Sequence, residues 1–352
     1  MRPCLCLFFA LTLSVDAHSV ESIPDLDSHY VDVEVGDGSR LRSIITLPKG
    51  DNSPRHPILF TQWVSCGSLE YREGSNSREL LAAIARRSGL ALIRVERSAL
   101  NESGPACEQL DYDTELAHYI DAFAQLLEDP RINAERVYVY GSSLGATTAP
   151  LVAQALQVQG VEIAGMMVQG GGAVSYYERM LNFERNYLER RPEEVALPDI
   201  HSELLLRARF QYEYLVEGRH PDEVAGDSEE MARIRRDILG METSNQYGRP
   251  FAWHQQAAKQ NFLAAWAAVD APVLVIFNAF DQFEGRHGHK LIVESVNRLR
   301  PGSGTFIERP NIGHSDNRYA NVEDAYAFRD GMPAWEEAAE FMLRWLDDLQ
   351  LK

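Results

Sequence analysis

The sequence is short of positive charge, poor in cysteine and, past its first residues, without a long apolar run. Its 34 lysines and arginines face 52 aspartates and glutamates, a net charge of −18. An acidic balance of this size argues against nucleic acid as a partner, and it would repel anionic membranes. Beyond the N-terminus no stretch approaches the length of a membrane span, so no stable insertion is expected once that segment is removed. There is no internal repeat and no low-complexity tract. What remains is ordinary globular composition, enough for one large α/β domain with an insertion or for two small domains.

The N-terminus reads as a targeting segment. Arg2 supplies a positive start, residues 4–15 are apolar, and Val15-Asp16-Ala17 places small residues at −3 and −1. This predicts a signal peptide over residues 1–17 and an exported mature chain, periplasmic or secreted. A buried first strand is the alternative. A lipoprotein signal fits less well, because Cys4 and Cys6 precede the apolar run. Removing the segment leaves Cys66 and Cys107 of the four cysteines. In an exported protein two cysteines point to one disulfide, with two buried thiols as the alternative. Asn101-Glu102-Ser103 is a glycosylation sequon, relevant only to a eukaryotic secretion route.

Hydrophobic periodicity lays out the rest. Residues 30–35 and 41–47 alternate around a Gly36-Asp37-Gly38 turn, as an antiparallel hairpin does. Strands are predicted at 57–61, 90–95, 136–140 and 163–168, separated by helices over 79–87, 114–128 (with Asp113 as N-cap) and 146–157. The alternation then stops. Residues 176–190, 202–214 and 229–239 read as charged amphipathic helices, and a strand returns only at 271–277. A helix at 290–299, a strand at 305–308 and a helix at 334–349 close the chain. The expected division is a core over 18–172 and 263–352, with a helical lid over 173–262.

The stretch that organises the chain is Gly141-Ser142-Ser143-Leu144-Gly145, set between a strand and an Ala/Leu-rich helix. Strand, G-x-S-x-G, helix resembles the nucleophile elbow of the α/β-hydrolase fold. Its small residues let strand and helix approach, and its central residue, Ser143, is pushed out at the sheet's carboxyl edge. Ser142 holds the second position and is the weaker candidate. A serine hydroxyl needs a base in hydrogen-bond reach, and the base needs a carboxylate to orient it. In this fold they follow strands seven and eight in the order Ser, acid, His. Asp281, after the strand at 271–277, and His314, after the strand at 305–308, meet that order; Asp316 lies too near His314 to serve. Oxyanion donors are expected from the amide of Leu144 and from the loop after strand three, Gln62-Trp63-Val64-Ser65-Cys66, with Val64 favoured over Trp63.

Other polar residues carry weaker expectations. His287 and His289 lack a third ligand at metal spacing, so neither a metal nor any other cofactor is expected. His254 is read as a solvated or capped histidine sooner than a pocket residue. Lid glutamates Glu178, Glu184, Glu189, Glu193 and Glu194 alternate with Arg179, Arg185, Arg190 and Arg191, which favours a salt-laced solvent face.

Over about residues 30–349 the chain is similar to the α/β-hydrolase superfamily, near the exported prolyl oligopeptidase and dienelactone hydrolase branches. The likeness rests on Cys66-Gly67-Ser68, Ser103-Gly104-Pro105-Ala106-Cys107, Asp111-Tyr112-Asp113-Thr114-Glu115, the elbow, Tyr247-Gly248-Arg249-Pro250 and the run from Val296 to Gly302. The resemblance implies a mostly parallel eight-stranded sheet with helices on both faces, a Ser143–Asp281–His314 triad and a Cys66–Cys107 bridge. It also implies hydrolysis of a carboxylic ester or amide, with a short-peptide peptidase as the alternative. A hydrolase fold that only binds is the rival from another class.

Overall fold

Strands that are apolar on both sides of the backbone need a layer of helices on each face. The computed structural model describes residues 21–50, 53–70, 74–100, 103–190 and 200–350, and gives them that setting. The sequon asparagine, the glutamates at 193 and 194 and the predicted signal peptide lie outside the described residues.

The hairpin is β1 (Leu26–Glu34) and β2 (Arg40–Pro48). It is followed by β3 (Pro57–Thr61), β4 (Ala91–Ala99), β5 (Val137–Ser142) and β6 (Ile163–Gln169). Two short strands, β7 (Asn245–Gln246) and β8 (Arg249–Pro250), pair with each other apart from the main sheet. The last members of the main sheet are β9 (Val273–Asn278) and β10 (Gly304–Arg309). Its order is β1-β2-β4-β3-β5-β6-β9-β10. β2 is antiparallel to β1 and β4, and every other neighbouring pair is parallel. This is the α/β-hydrolase fold.

Alternation along β5 assigns the two layers. Val137 and Val139 face α2 (Tyr112–Leu126), α3 (Gly145–Val158) and α10 (Arg286–Leu299), packing with Phe123, Val152 and Ile292. Tyr138 and Tyr140 face α1 (Asn76–Ser88) and the closing helix Trp335–Gln350, packing with Leu81, Ile84 and Met342. α1 starts where the Ser75 side chain accepts from the Arg78 amide, and it stops at Gly89 in a left-handed conformation (φ 68°). α2 begins earlier than the sequence suggests. Asp111, not Asp113, is its cap, accepting from the Thr114 amide at 2.8 Å, because the buried Tyr112 ring draws the first turn inward.

The insertion between β6 and β9 contains α4 (Tyr176–Arg190), α5 (Ile200–Gln211), α6 (Pro221–Ala225), α7 (Glu229–Asp237), α8 (Phe251–Ala258) and α9 (Phe262–Ala268). The helix expected over 202–214 ends at Gln211 and opens into a wider π turn at Tyr212–Val216. α8 and α9 were not expected. α8 buries Trp253, His254 and Ala257 and so has little amphipathic stripe to read. α9 sends Trp266 into the core beneath the sheet. The solvent-face reading of the α4 charges needs correction. Glu178, Arg185, Glu189 and Arg190 are exposed, but Glu184 and Arg179 are buried. α5 packs over that side of α4, and Glu184 pairs there with Arg207 and accepts from the Leu239 amide at 3.0 Å.

The β5–α3 turn is crowded. A Cβ on Gly145 would lie 2.0 Å from the Thr61 carbonyl oxygen, and one on Gly141 would lie 2.6 Å from the Gly145 carbonyl oxygen. Both obstacles are backbone, so neither can yield cheaply. Gly145→Ala is therefore expected to lower unfolding stability by about 2–3 kcal/mol or prevent folding. Chemical denaturation of the variant measures this; an unchanged midpoint would contradict it.

Candidate active site

Ser143 is the residue that the crowded turn expels. Its φ is 54°, and its amide donates to the Gln169 carbonyl of neighbouring β6 at 2.8 Å. The structure brings His314 and Asp281 to it. His314 Nε2 lies 2.9 Å from Ser143 Oγ, and His314 Nδ1 lies 2.8 Å from Asp281 Oδ2. With a carboxylate at Nδ1, that nitrogen carries the proton and Nε2 is free to accept from the hydroxyl.

Each partner is held from behind. The other oxygen of Asp281 accepts from the amides of Phe283 (2.8 Å) and Glu284 (2.9 Å), and Tyr326 donates to the Asp281 carbonyl at 3.0 Å. The His314 amide donates to Gln282 Oε1 at 3.1 Å, and the Phe283 ring packs edge-on against the imidazole. Asp316 has another task. It pairs with buried Arg309 and accepts from Gln169 Nε2 at 2.8 Å, tying the His314 loop to β10 and β6.

Burial alone would favour neutral His314, but the charge and hydrogen bond of Asp281 outweigh it and raise its pKa. Burial likewise opposes ionisation of Asp281. The His314 partner and the two loop amides overcome it, and the carboxyl sits below its ordinary range.

Among the described residues no acceptor is found for the Leu144 amide, and Leu144 leads into the first turn of α3, where amides point outward and favour negative charge. The loop after β3 is gripped by Arg97 of β4. Its Nη1 donates to the carbonyl of Trp63 at 2.7 Å and reaches that of Val64 at 3.4 Å, while Nη2 donates to Ser65. In a trans peptide the N–H points opposite to the C=O, so the Val64 amide faces away from Arg97. Trp63, Val64, Ser143, Leu144 and His314 all line one cavity of about 320 Å³.

Cys66 and Cys107 are joined, with Cα atoms 5.6 Å apart. The bridge ties the end of the β3 loop to the segment after β4. Arg249 of β8, fully buried, donates to the Cys107 carbonyl at 3.0 Å and forms an ion pair with Glu115 of α2. Glu115 also receives Trp253 Nε1 at 2.9 Å and pairs with Arg97 at 3.4 Å. One buried carboxylate thus links the β3 loop, the disulfide and the insertion. Sequence reading missed this group. Its only signal was charge inside the apolar run of β4.

The remaining histidines are apart from the cavity. His254 is fully buried, neither solvated nor lining the pocket. Its Nε2 bonds the Gln246 carbonyl at 2.8 Å and its Nδ1 the Tyr176 hydroxyl at 2.7 Å. Burial pushes its pKa down to about 3. His287 is exposed, whereas His289 lies under the Phe277 ring with Nδ1 on the Gly285 carbonyl, so the two share no ligand. Among the described residues, no group of three or more His, Cys, Asp or Glu is arranged to hold a metal ion. No helix of the described residues is long and apolar enough to cross a membrane.

No protein-family model and no curated protein matches the sequence. Solved structures do share the architecture. Carboxyl esterase 2 of the fungus Tuber melanosporum aligns with 95% of this chain and 89% of its own, at 12% identity and a TM-score of 0.55. An esterase of Pyrobaculum calidifontis aligns with 94% of this chain and 87% of its own, at 13% identity and a TM-score of 0.54. A dienelactone hydrolase, so described provisionally, of Klebsiella pneumoniae covers 92% and 98%, at 12% identity and a TM-score of 0.50. At these identities the likeness establishes the α/β-hydrolase fold.

The disulfide spans a sequence separation of 41. In the chain-entropy model, opening such a loop costs about 4 kcal/mol. Cys66→Ser/Cys107→Ser protein should unfold at correspondingly lower denaturant concentration; an unchanged midpoint would show the bridge to be dispensable.

Proposed function

We propose that the protein is an exported serine hydrolase that cleaves a carboxylic ester through an acyl-enzyme. The observation that carries this is the hydrogen-bonded line from Ser143 Oγ through His314 to Asp281 Oδ2, opening on a cavity. His314 takes the proton of Ser143 as the hydroxyl attacks the ester carbonyl. Asp281 fixes the imidazole and supports its positive charge. The amides of Leu144 and Val64 stabilise the tetrahedral oxyanion, and His314 then returns the proton to the leaving alcohol. Water, activated by the same imidazole, releases the acid and restores Ser143. No cofactor enters the scheme.

Two further observations shape the reading. The leader-like N-terminus and the Cys66–Cys107 bridge support export. A peptidase would be favoured by a glutamate of the insertion placed to hold a peptide amino terminus. Among the described residues no such glutamate lines the cavity; the insertion contributes Arg179 instead. The helical insertion, as a lid, restricts entry to small substrates.

A fluorophosphonate probe should label the native protein at Ser143 and leave Ser143→Ala unlabelled. Equal labelling of both, or none of either, would refute the catalytic reading in favour of a binding-only fold. Asp281→Asn should lower kcat by about 10³–10⁴-fold while the protein stays folded. Activity requires neutral His314, whose pKa is raised. Hence kcat/KM should climb with pH through a midpoint above about 6.5. A midpoint clearly below that value would contradict the Asp281–His314 coupling.

A further inference from the structure

The wall of the Ser143 cavity is largely apolar, with Phe60, Leu80, Leu81, Met180, Phe183 and Phe283 among its side chains. Into it projects one arginine, Arg179 of α4, which is 5% exposed. Bringing a guanidinium into so apolar a place is costly unless its donors are used. One side is occupied, since Nε forms an ion pair with Glu284. The Phe183 ring lies 5.3 Å from the guanidinium carbon. Beyond these contacts, no hydrogen bond or ion pair from the two terminal nitrogens to a described residue is found, and the residue lines the same cavity as Ser143. Asp316, the acidic residue of the lining, is already engaged by Arg309 and Gln169.

Resting on the hydrolase reading above, we infer that Arg179 is the recognition site for a carboxylate on the substrate: the preferred ester carries an anionic group on its acyl or leaving part, held by the terminal nitrogens of Arg179 while Ser143 faces the scissile carbonyl. A planar guanidinium with a free edge matches a carboxylate in shape and charge. Glu284 does not block such a ligand. It meets Arg179 at Nε, leaving the other edge open, and burial pushes its own pKa up to about 7, so a proton can offset the added charge. The pair also joins α4 of the insertion to the loop that carries Asp281, so the substrate's charge and the proposed catalytic groups share one rigid frame.

The test compares matched esters. Mono-p-nitrophenyl glutarate is set against p-nitrophenyl hexanoate, and para-(butyryloxy)benzoate against its methyl ester. The native enzyme should favour the anionic member of at least one pair in kcat/KM by about tenfold or more. Arg179→Met should abolish that ratio, and Arg179→Lys should retain part of it. Arg179→Met/Glu284→Gln removes both charges together, so it guards against misfolding caused by a stranded buried carboxylate. A purely bracing role for the ion pair would depress both members of a pair alike. Equal native rates within both pairs, or a preference that survives Arg179→Met, overturns the inference. Binding of glutarate to Ser143→Ala protein, followed by calorimetry, reads the subsite without catalysis. If glutarate binds there and Arg179→Met weakens it about tenfold, yet no ester is turned over, the hydrolase reading fails and the subsite stands. If glutarate does not bind, the subsite fails whatever the fate of the hydrolase reading.

Discussion

The constraint on which the site depends is backbone crowding where β5 turns into α3. Gly145 passes so close to the Thr61 carbonyl that no side chain fits, and the Thr61 hydroxyl donates to the Gly145 carbonyl at 2.8 Å. The helix can start there only if one residue takes a positive φ, and that residue is Ser143. Its side chain is thereby driven off the sheet, and the next amide is left at the start of a helix with no internal partner. Nucleophile position and oxyanion donor, in the proposed chemistry, follow from one steric fact.

Parallel strands supply the second half of the arrangement. In a parallel sheet every carboxyl end lies along one edge, so loops after β5, β9 and β10 meet although their residues are far apart in the chain. The loops are then pinned by buried polar contacts. Asp281 accepts from two amides of its own turn, and the His314 loop is held by Asn278 Nδ2 on the Gly313 carbonyl at 2.9 Å and by the Arg309–Asp316 pair. Such groups are specific because an unpaired buried donor or acceptor costs about 1–3 kcal/mol.

Buried charge is the less ordinary feature. Glu115 collects Arg97, Arg249 and the Trp253 indole in a space that also holds the disulfide. Arg179–Glu284 and Arg207–Glu184 are further pairs in or at the insertion. Buried pairs of this kind commonly add little net stability, because desolvation offsets attraction. Their value is directional: each fixes a segment near the cavity, and Arg97 turns three loop carbonyls toward itself.

The chain alone carried the eight strands of the main sheet, the elbow and the expectation that Ser143, Asp281 and His314 meet, which the structure brings within hydrogen-bond distance of one another. These are carried by local patterns, apolar runs and turn residues, and by a chain order that a parallel sheet converts into proximity. What only the tertiary structure decided are the contacts between segments remote in sequence. Asp111 and Asp113 are equivalent as caps until the Tyr112 ring is buried. The charges of α4 read as a solvated face until α5 covers Glu184 and the cavity encloses Arg179. His254 could not be distinguished from a surface residue until Tyr176 and Gln246 closed around it. A side chain's burial depends on what packs over it, and periodicity within one helix does not encode its neighbour.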